Sequence, residues 1–208
     1  MGPDEFQAKS GVSRETLERL TVYADLLVKW QVRINLVGPE TVADLWSRHF
    51  LDSAQLWRLI PPEAGRLVDL GSGAGFPGLV LAVMRPTAAA RPEVFLVESD
   101  ARKCAFLREA ARLTGTQVTV INQRIEQVAP LQADVVVARA LAPLVKLLAW
   151  AAPHLAPGGQ CLFLKGRGAE DELTATAKEW KITADRVLSL TDPAGIVLQL
   201  REVCRGRA

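Results

Sequence analysis

The spacing of apolar positions changes near residue 66. Before it, apolar side chains recur at helical intervals. Leu17, Leu20, Tyr23, Ala24, Leu27, Trp30 and Ile34 follow Ser13, whose hydroxyl suits an N-cap, and together they predict a helix. NLVGPE (35–40) breaks it, with Gly38 and Pro39 as punctuation. Val42, Leu45, Trp46, His49, Phe50, Ser53, Leu56 and Trp57 then predict a second helix, ended by the prolines at 61–62. The aromatic stripe on these helices is the face expected to pack on the rest of the protein.

From residue 66 onward, short apolar runs rich in β-branched residues alternate with helical patterns. Strands are expected at 66–70, 93–98, 117–121, 134–138 and 159–165, and helices near 77–85, 100–114, 143–154 and 169–181. Such runs suit a parallel sheet buried on both faces, and the alternation implies right-handed βαβ crossovers in a doubly wound sheet. The end of the chain departs from it. RVLSL (186–190), the turn TDPAG and IVLQLREV (196–203) predict an antiparallel hairpin. An α/β sheet closed by such a hairpin is the layout of the Rossmann-like class I fold of S-adenosylmethionine (SAM)-dependent methyltransferases. The expected division is a small N-terminal helical extension, 1–62, packed on a methyltransferase domain, 63–208.

Length and charge narrow the picture. The 208 residues suffice for one domain with a sizeable core plus a few appended helices. A net charge of +2, from 25 Lys and Arg against 23 acids, is far from that of a protein that wraps DNA. RNA binding through a local patch stays open: Arg102, Lys103, Arg108 and Arg112 cluster, as do Lys165 with Arg167, and Arg201, Arg205 and Arg207 end the chain. The alternative for each group is a solvated face or tail. Cys104, Cys161 and Cys204 are scattered, without zinc spacing, which fits a reducing compartment and no metal site. No run approaches the about 20 apolar residues that span a bilayer, and MGPDEFQAKS has no apolar core of a secretory signal. A cytoplasmic monomer with no membrane association is the expectation.

Ligands of open α/β sheets bind beyond the carboxyl ends of the strands. The first strand ends in LVDLGSGAGFPGLVLAV (67–83), the second in Glu98, Ser99 and Asp100, and the fourth in Arg139; NQRIE (122–126) follows the third. Gly73, Gly75 and Gly78 satisfy G-x-G-x-x-G, and Glu98 stands where an acid would meet a ribose, so a nicotinamide dinucleotide is one reading. Asp69 argues against it, because a carboxylate before the loop repels a pyrophosphate. Pro77 also removes a backbone N–H at the start of the next helix. SAM reverses the first objection. Its ammonium and sulfonium are cationic and favour Asp69, its single carboxylate needs only loop N–H groups, and Glu98 serves its ribose. The methyl acceptor is constrained by what is missing. ARALAPL (138–144) lacks the Asn/Asp-Pro-Pro-aromatic run of amino methylation, and no Pro-Cys nucleophile is present. An acceptor already nucleophilic remains, such as guanine N7, which needs alignment and no general base.

NLVG (35–38), RHFLDS (48–53), LVDLGSGAGFPGL (67–79), VESDARKCAFL (97–107), RIE (124–126), ARALAPL and LKGR (164–167) resemble the RsmG family, formerly GidB, of bacterial small-subunit rRNA guanine-N7 methyltransferases. The resemblance runs from about residue 20 to the C-terminal end. It implies a SAM site of Gly71 and Phe76, Glu98, Ile125 and Glu126, and Arg139, with Asp69, Gly73 and Gly75 beside it. Glu126 would accept from the adenine amino group while Ile125 packs on its ring. Arg139 would grip cofactor or guanine in a positioning role, the alternative being an ion pair with Asp69 or Asp134. The implied substrate is 16S rRNA in the small subunit or its precursor. Val37 and Ala138 depart from the Thr and Ser of many relatives, and RPTAAARPE (85–93) is expected to be a surface loop.

Arg48, His49, Lys165 and Arg167 are the candidates for RNA contact. Each has a plainer alternative. Arg48 and Asp52 have the spacing of an intrahelical ion pair, and His49 on an apolar face suits a packed core histidine. Two other functions compete with the methyltransferase: a NAD-binding oxidoreductase and a non-catalytic RNA-binding ribosome assembly factor.

Overall fold

The computed structural model describes residues 1–86 and 91–206. Part of the expected 85–93 loop, and Arg207, lie outside the described residues.

Two helices open the chain. α1 (Pro3–Ser10), which the spacing did not predict, begins with Pro at its first position and buries Phe6 completely. α2 (Arg14–Gln31) starts as expected, with the Ser13 hydroxyl accepting from the Thr16 N–H, and buries Leu17, Leu20, Tyr23, Ala24 and Leu27. The expected second helix is not one α-helix. Pro39–Asp44 is 3₁₀, Trp46–Leu51 is a π-helical turn, α3 (Asp52–Ala54) is a single α-turn, and Gln55–Leu59 is again 3₁₀. The burial stripe survives because the tight 3₁₀ turns and the wide π turn average close to the α period. Leu45, His49, Phe50, Ser53 and Leu56 are all buried.

The sheet is built from β1 (Arg66–Leu70), β2 (Glu93–Glu98), β3 (Thr119–Asn122), β4 (Ala133–Arg139), β5 (Leu155–Lys165), β6 (Trp180–Leu188) and β7 (Ile196–Arg205). Their order is β3-β2-β1-β4-β5-β7-β6. β1 to β5 are mutually parallel, β7 runs antiparallel to β5, and β6 antiparallel to β7. Between them lie α4 (Gly78–Met84), α5 (Ala101–Leu113), α6 (Leu144–Ala151) and α7 (Ala169–Thr176). Two apolar clusters cover the two faces, and alternate strand residues feed them. Val135, Val137 and Leu162 join one; Val136, Ala138, Cys161 and Phe163 join the other. The first also contains Phe6, Leu20, Tyr23 and Phe50, so the N-terminal helices share a core with the sheet.

β5 begins at Leu155, four residues before the expected 159, and the largest misplaced boundary follows it. The helix expected to reach residue 181 stops at Thr176, and β6 begins at Trp180, whereas 186–190 was the expected strand. β6 is the outermost strand and half its residues face solvent, so WKITADRVL alternates polar with apolar and resembles a helix surface. Burying Trp180 in the second cluster decides in favour of the strand.

Candidate functional site

Chain order reverses between β1, which leads outward to β2 and β3, and β4, which leads to β5; the crevice at such a switch is where ligands bind. A cavity of about 810 Å³ opens there. It is walled by the glycine loop, Arg139, Lys165, the N-terminal segment around His49, and the turn between β6 and β7.

The loop after β1 is shaped by close approach. A Cβ on Gly78 would stand 2.5 Å from Asp69 Cβ, and one on Gly75 would stand 2.5 Å from the Tyr23 hydroxyl. Gly73 is different. Its φ is +55°, and a Cβ there would meet nothing nearer than the Gly71 carbonyl at 3.8 Å. Space beside Gly73 is therefore open.

Asp69 does not line this cavity. It is fully buried under the loop, where Oδ2 accepts the Gly78 N–H at 3.1 Å and Oδ1 has no hydrogen-bond partner. Burial pushes its pKa up to about 7, against the lowering effect of the Gly78 N–H. The expected direct attraction between Asp69 and a cationic ligand is therefore replaced by a role in seating α4. Glu98 holds the other side of the loop: Oε2 accepts the Gly73 N–H at 2.9 Å and Oε1 the Asp100 N–H at 2.8 Å. Asp100 caps α5 through the N–H groups of Arg102 and Lys103. Ile125 is half-buried against the second apolar cluster and Glu126 is exposed, both on the β3 side of the loop.

Arg139 is the centre of the opposite wall. Nη1 donates to the Arg48 carbonyl at 2.9 Å and to Asp52 Oδ2 at 3.5 Å, while Nη2 donates to His49 Nδ1 at 2.7 Å. The guanidinium lies 5.0 Å from the centroid of Phe76, a cation–π distance. Phe76 in turn stacks on Tyr23, with centroids 5.6 Å apart, and the Tyr23 hydroxyl donates to the Ala74 carbonyl. The ion pair anticipated for Arg139 with Asp69 or Asp134 is not formed. Asp134 instead accepts the N–H groups of Gly65 and Arg66. Nor do Arg48 and Asp52 pair, because the π-helical turn alters their relative facing and Asp52 turns to Arg139 and the Thr191 hydroxyl.

The four RNA candidates separate. His49 is buried, and both ring nitrogens are engaged, Nε2 with Thr41 Oγ1 at 2.7 Å. Lys165 donates to Glu172 Oε2 at 2.7 Å and to the Ala142 carbonyl at 2.9 Å. Neither is available for RNA in this arrangement. Arg48 and Arg167 are exposed, and Arg48 lines the cavity. Thr41, Asp52, Glu172 and Thr191 were missed as wall residues: Asp52 and Thr191 meet partners 87 and 139 positions away, while Thr41 and Glu172 bond His49 and Lys165 only 8 and 7 positions away, across breaks in the helical pattern. Among the described residues no group of His, Cys, Asp or Glu is arranged to hold a metal ion, and no helix is long and apolar enough to cross a membrane.

A seven-stranded sheet with antiparallel β7 inserted beside β5, a glycine loop after β1 and a carboxylate at the end of β2 define a class I SAM-dependent methyltransferase. A dinucleotide-binding Rossmann sheet of order 3-2-1-4-5-6 has no such inserted strand. Comparison with known proteins agrees. A SAM-dependent methyltransferase from Aquifex aeolicus superposes with a TM-score of 0.60 at 14% identity, covering 79% of this chain and 98% of its own. The sequence profile of rRNA small subunit methyltransferase G, also called GidB, matches residues 16–195. The chain is 77% identical to ribosomal RNA small subunit methyltransferase G of Paramagnetospirillum magneticum, covering 100% of this chain and 99% of that relative. It is 56% identical to the protein of that name from Rhodospirillum centenum, covering 96% and 90%. This chain belongs to the rRNA small subunit methyltransferase G family.

Proposed function

We propose that the protein transfers a methyl group from SAM to N7 of a guanine in 16S rRNA, on the small subunit or its precursor, acting as a cytoplasmic monomer. The observation that carries the reading is the open cradle at Gly73, flanked by Glu98 and continuous with the cavity. SAM, when bound, supplies an electrophilic methyl on its sulfonium. Gly71 and Gly73 would admit it beside the backbone, and Glu98 has oxygen lone pairs left for ribose hydroxyls beyond its two backbone bonds. Ile125 would pack on the adenine and Glu126 would accept from its amino group. Phe76 from the loop and Arg139 from β4 meet where the two walls join.

The protonation inventory of the wall suits N7. His49, Asp52, Lys165 and Glu172 are each held by protein partners. No proton is lost when N7 is methylated, so these groups align the acceptor and exclude water, and none is asked to serve as a base. Arg48 and Arg167, both exposed, supply phosphate contacts at the rim.

Tritium transfer from SAM to small subunits lacking the modification, followed by cleavage at methylated guanines, tests the proposal. Label in 16S rRNA at a cleavable guanine is expected. Label on protein or on a small molecule overturns it, and subunit binding without transfer favours the assembly-factor reading.

A further inference from the structure

The hydrogen bonds around His49 fix more than its burial. A guanidinium has no lone pair, so in the Arg139 Nη2 to His49 Nδ1 contact the imidazole nitrogen must accept. The ring proton then sits on Nε2 and is donated to Thr41 Oγ1, whose own proton goes to the Gly38 carbonyl at 2.7 Å. A protonated ring would place an N–H against the guanidinium and a second positive charge beside Arg139 and Arg48. The His49 pKa is accordingly pulled down to about 3, first by burial and then by those two arginines.

Arg139 meanwhile has three of its five donors committed: both Nη1–H bonds, to Arg48 and Asp52, and one Nη2–H, to His49. Its Nε–H and second Nη2–H have no partner among the described residues. These neighbouring donors form the side-on fork that matches a carboxylate. Phe76 covers one face of the guanidinium, which prevents the group from swinging toward the loop.

We propose that His49 is a positioning residue, whose neutral imidazole, braced by Thr41, presents the free fork of Arg139 to the cavity to take a ligand carboxylate. The carboxylate in question is that of the methionine moiety of SAM, so this inference rests on the proposed function for its ligand. It turns a residue that the sequence offered to RNA into a buried support for cofactor binding. Asp52 already sets one carboxylate against Nη1; a second in place of His49 would cancel the charge facing the cavity, whereas a neutral acceptor orients Arg139 without adding a further negative charge.

Side-chain mimicry separates positioning from packing. Asn reproduces the Nδ1 acceptor of histidine, and Gln reproduces the Nε2 position facing Thr41. His49→Gln is expected to weaken SAM binding about tenfold, as misplacing one charged partner does, while His49→Asn retains most of the affinity. Binding of 5′-methylthioadenosine, which lacks the carboxylate, should change in neither variant. Nitrogen-15 NMR of the wild-type protein, which has only two histidines, should show His49 protonated on Nε2 alone and not titrating near pH 6.5. A proton on Nδ1, a normal titration, equal losses in both variants, or an equal loss for methylthioadenosine overturns the assignment. Wild-type protein with the expected tautomer but no affinity for SAM would instead defeat the proposed function.

Discussion

The two walls of the cavity are built by different physics. The loop wall, from Gly71 to Gly78, is backbone: its shape comes from glycines that let the chain pass Asp69 and Tyr23 at distances a Cβ forbids. The opposite wall is side chain. Arg139 from β4 is held by a carbonyl and an imidazole from the π-helical turn and by a carboxylate from α3, and that carboxylate also binds the Thr191 hydroxyl beyond β6. A backbone wall is fixed by local sequence, and a side-chain wall depends on segments that meet only after folding. Damage to the first should therefore be local and severe. Damage to the second should spread and be partial.

The largest effect expected is at Gly73. In Gly73→Val the new side chain enters the open space beside the loop, and SAM affinity should fall at least 100-fold by calorimetry. The cost to the fold should be limited to the strain of φ at +55°, on the order of 1 to 3 kcal/mol. Unchanged affinity would show that this wall is not the cofactor cradle. Asp69 lies beneath the same wall and ranks next. Its pKa is raised from 3.8 to about 7 in the folded protein, so between those values the native state holds a proton that the unfolded chain releases. Stability is then greatest below about pH 4 as far as this group is concerned, and is lost as pH rises through 7, by up to about 4 kcal/mol. Asp69→Asn keeps an oxygen for the Gly78 N–H and should flatten that part of the profile, with a higher Tm at pH 8. Chemical denaturation across pH 4 to 8 measures it, and parallel profiles for the two proteins would refute it.

The contrast also explains what the sequence disclosed. The alternation of strands and helices, the hairpin and the glycine loop were legible because each follows from local periodicity or from residues adjacent in the chain. Gly71, Gly73 and Arg139 stood out in this way and Phe76 came from the family resemblance, and all four line the cavity; Gly75, Glu98, Ile125 and Glu126, named with them, are not among its lining residues. The partners of Arg139 were not found. Asp52 is 87 positions away from it and His49 is 90, and helical spacing pointed Asp52 to Arg48 instead. The π-helical turn defeats that rule, since it resembles an α-helix in its burial stripe but not in its side-chain facing. Asp69 shows the reverse error. Its place before the loop was read correctly, but the tight packing of Gly78 on it, which buries the carboxylate, leaves no mark in the sequence.

Lys165 and Arg167 test the side-chain wall from its outer end, because the sequence treated them alike and the structure does not. The Lys165 side chain is 10% exposed and shares Glu172 Oε2 with the Leu144 N–H, so the start of α6 depends on this arrangement. Lys165→Met should leave Glu172 without its cation and lower stability by about 1 to 3 kcal/mol, seen as a reduced Tm, with part of the loss recovered in Lys165→Met combined with Glu172→Gln. Arg167 is exposed and has no such partner among the described residues. Arg167→Ala should change stability by no more than about 0.5 kcal/mol and leave SAM affinity intact. What it should change is subunit binding, weakening it and reducing the salt dependence of log K by about 1, the mark of one lost phosphate contact. Equal salt slopes with and without Arg167 would remove it from the RNA surface and leave Arg48, on the cavity rim, as the remaining exposed candidate.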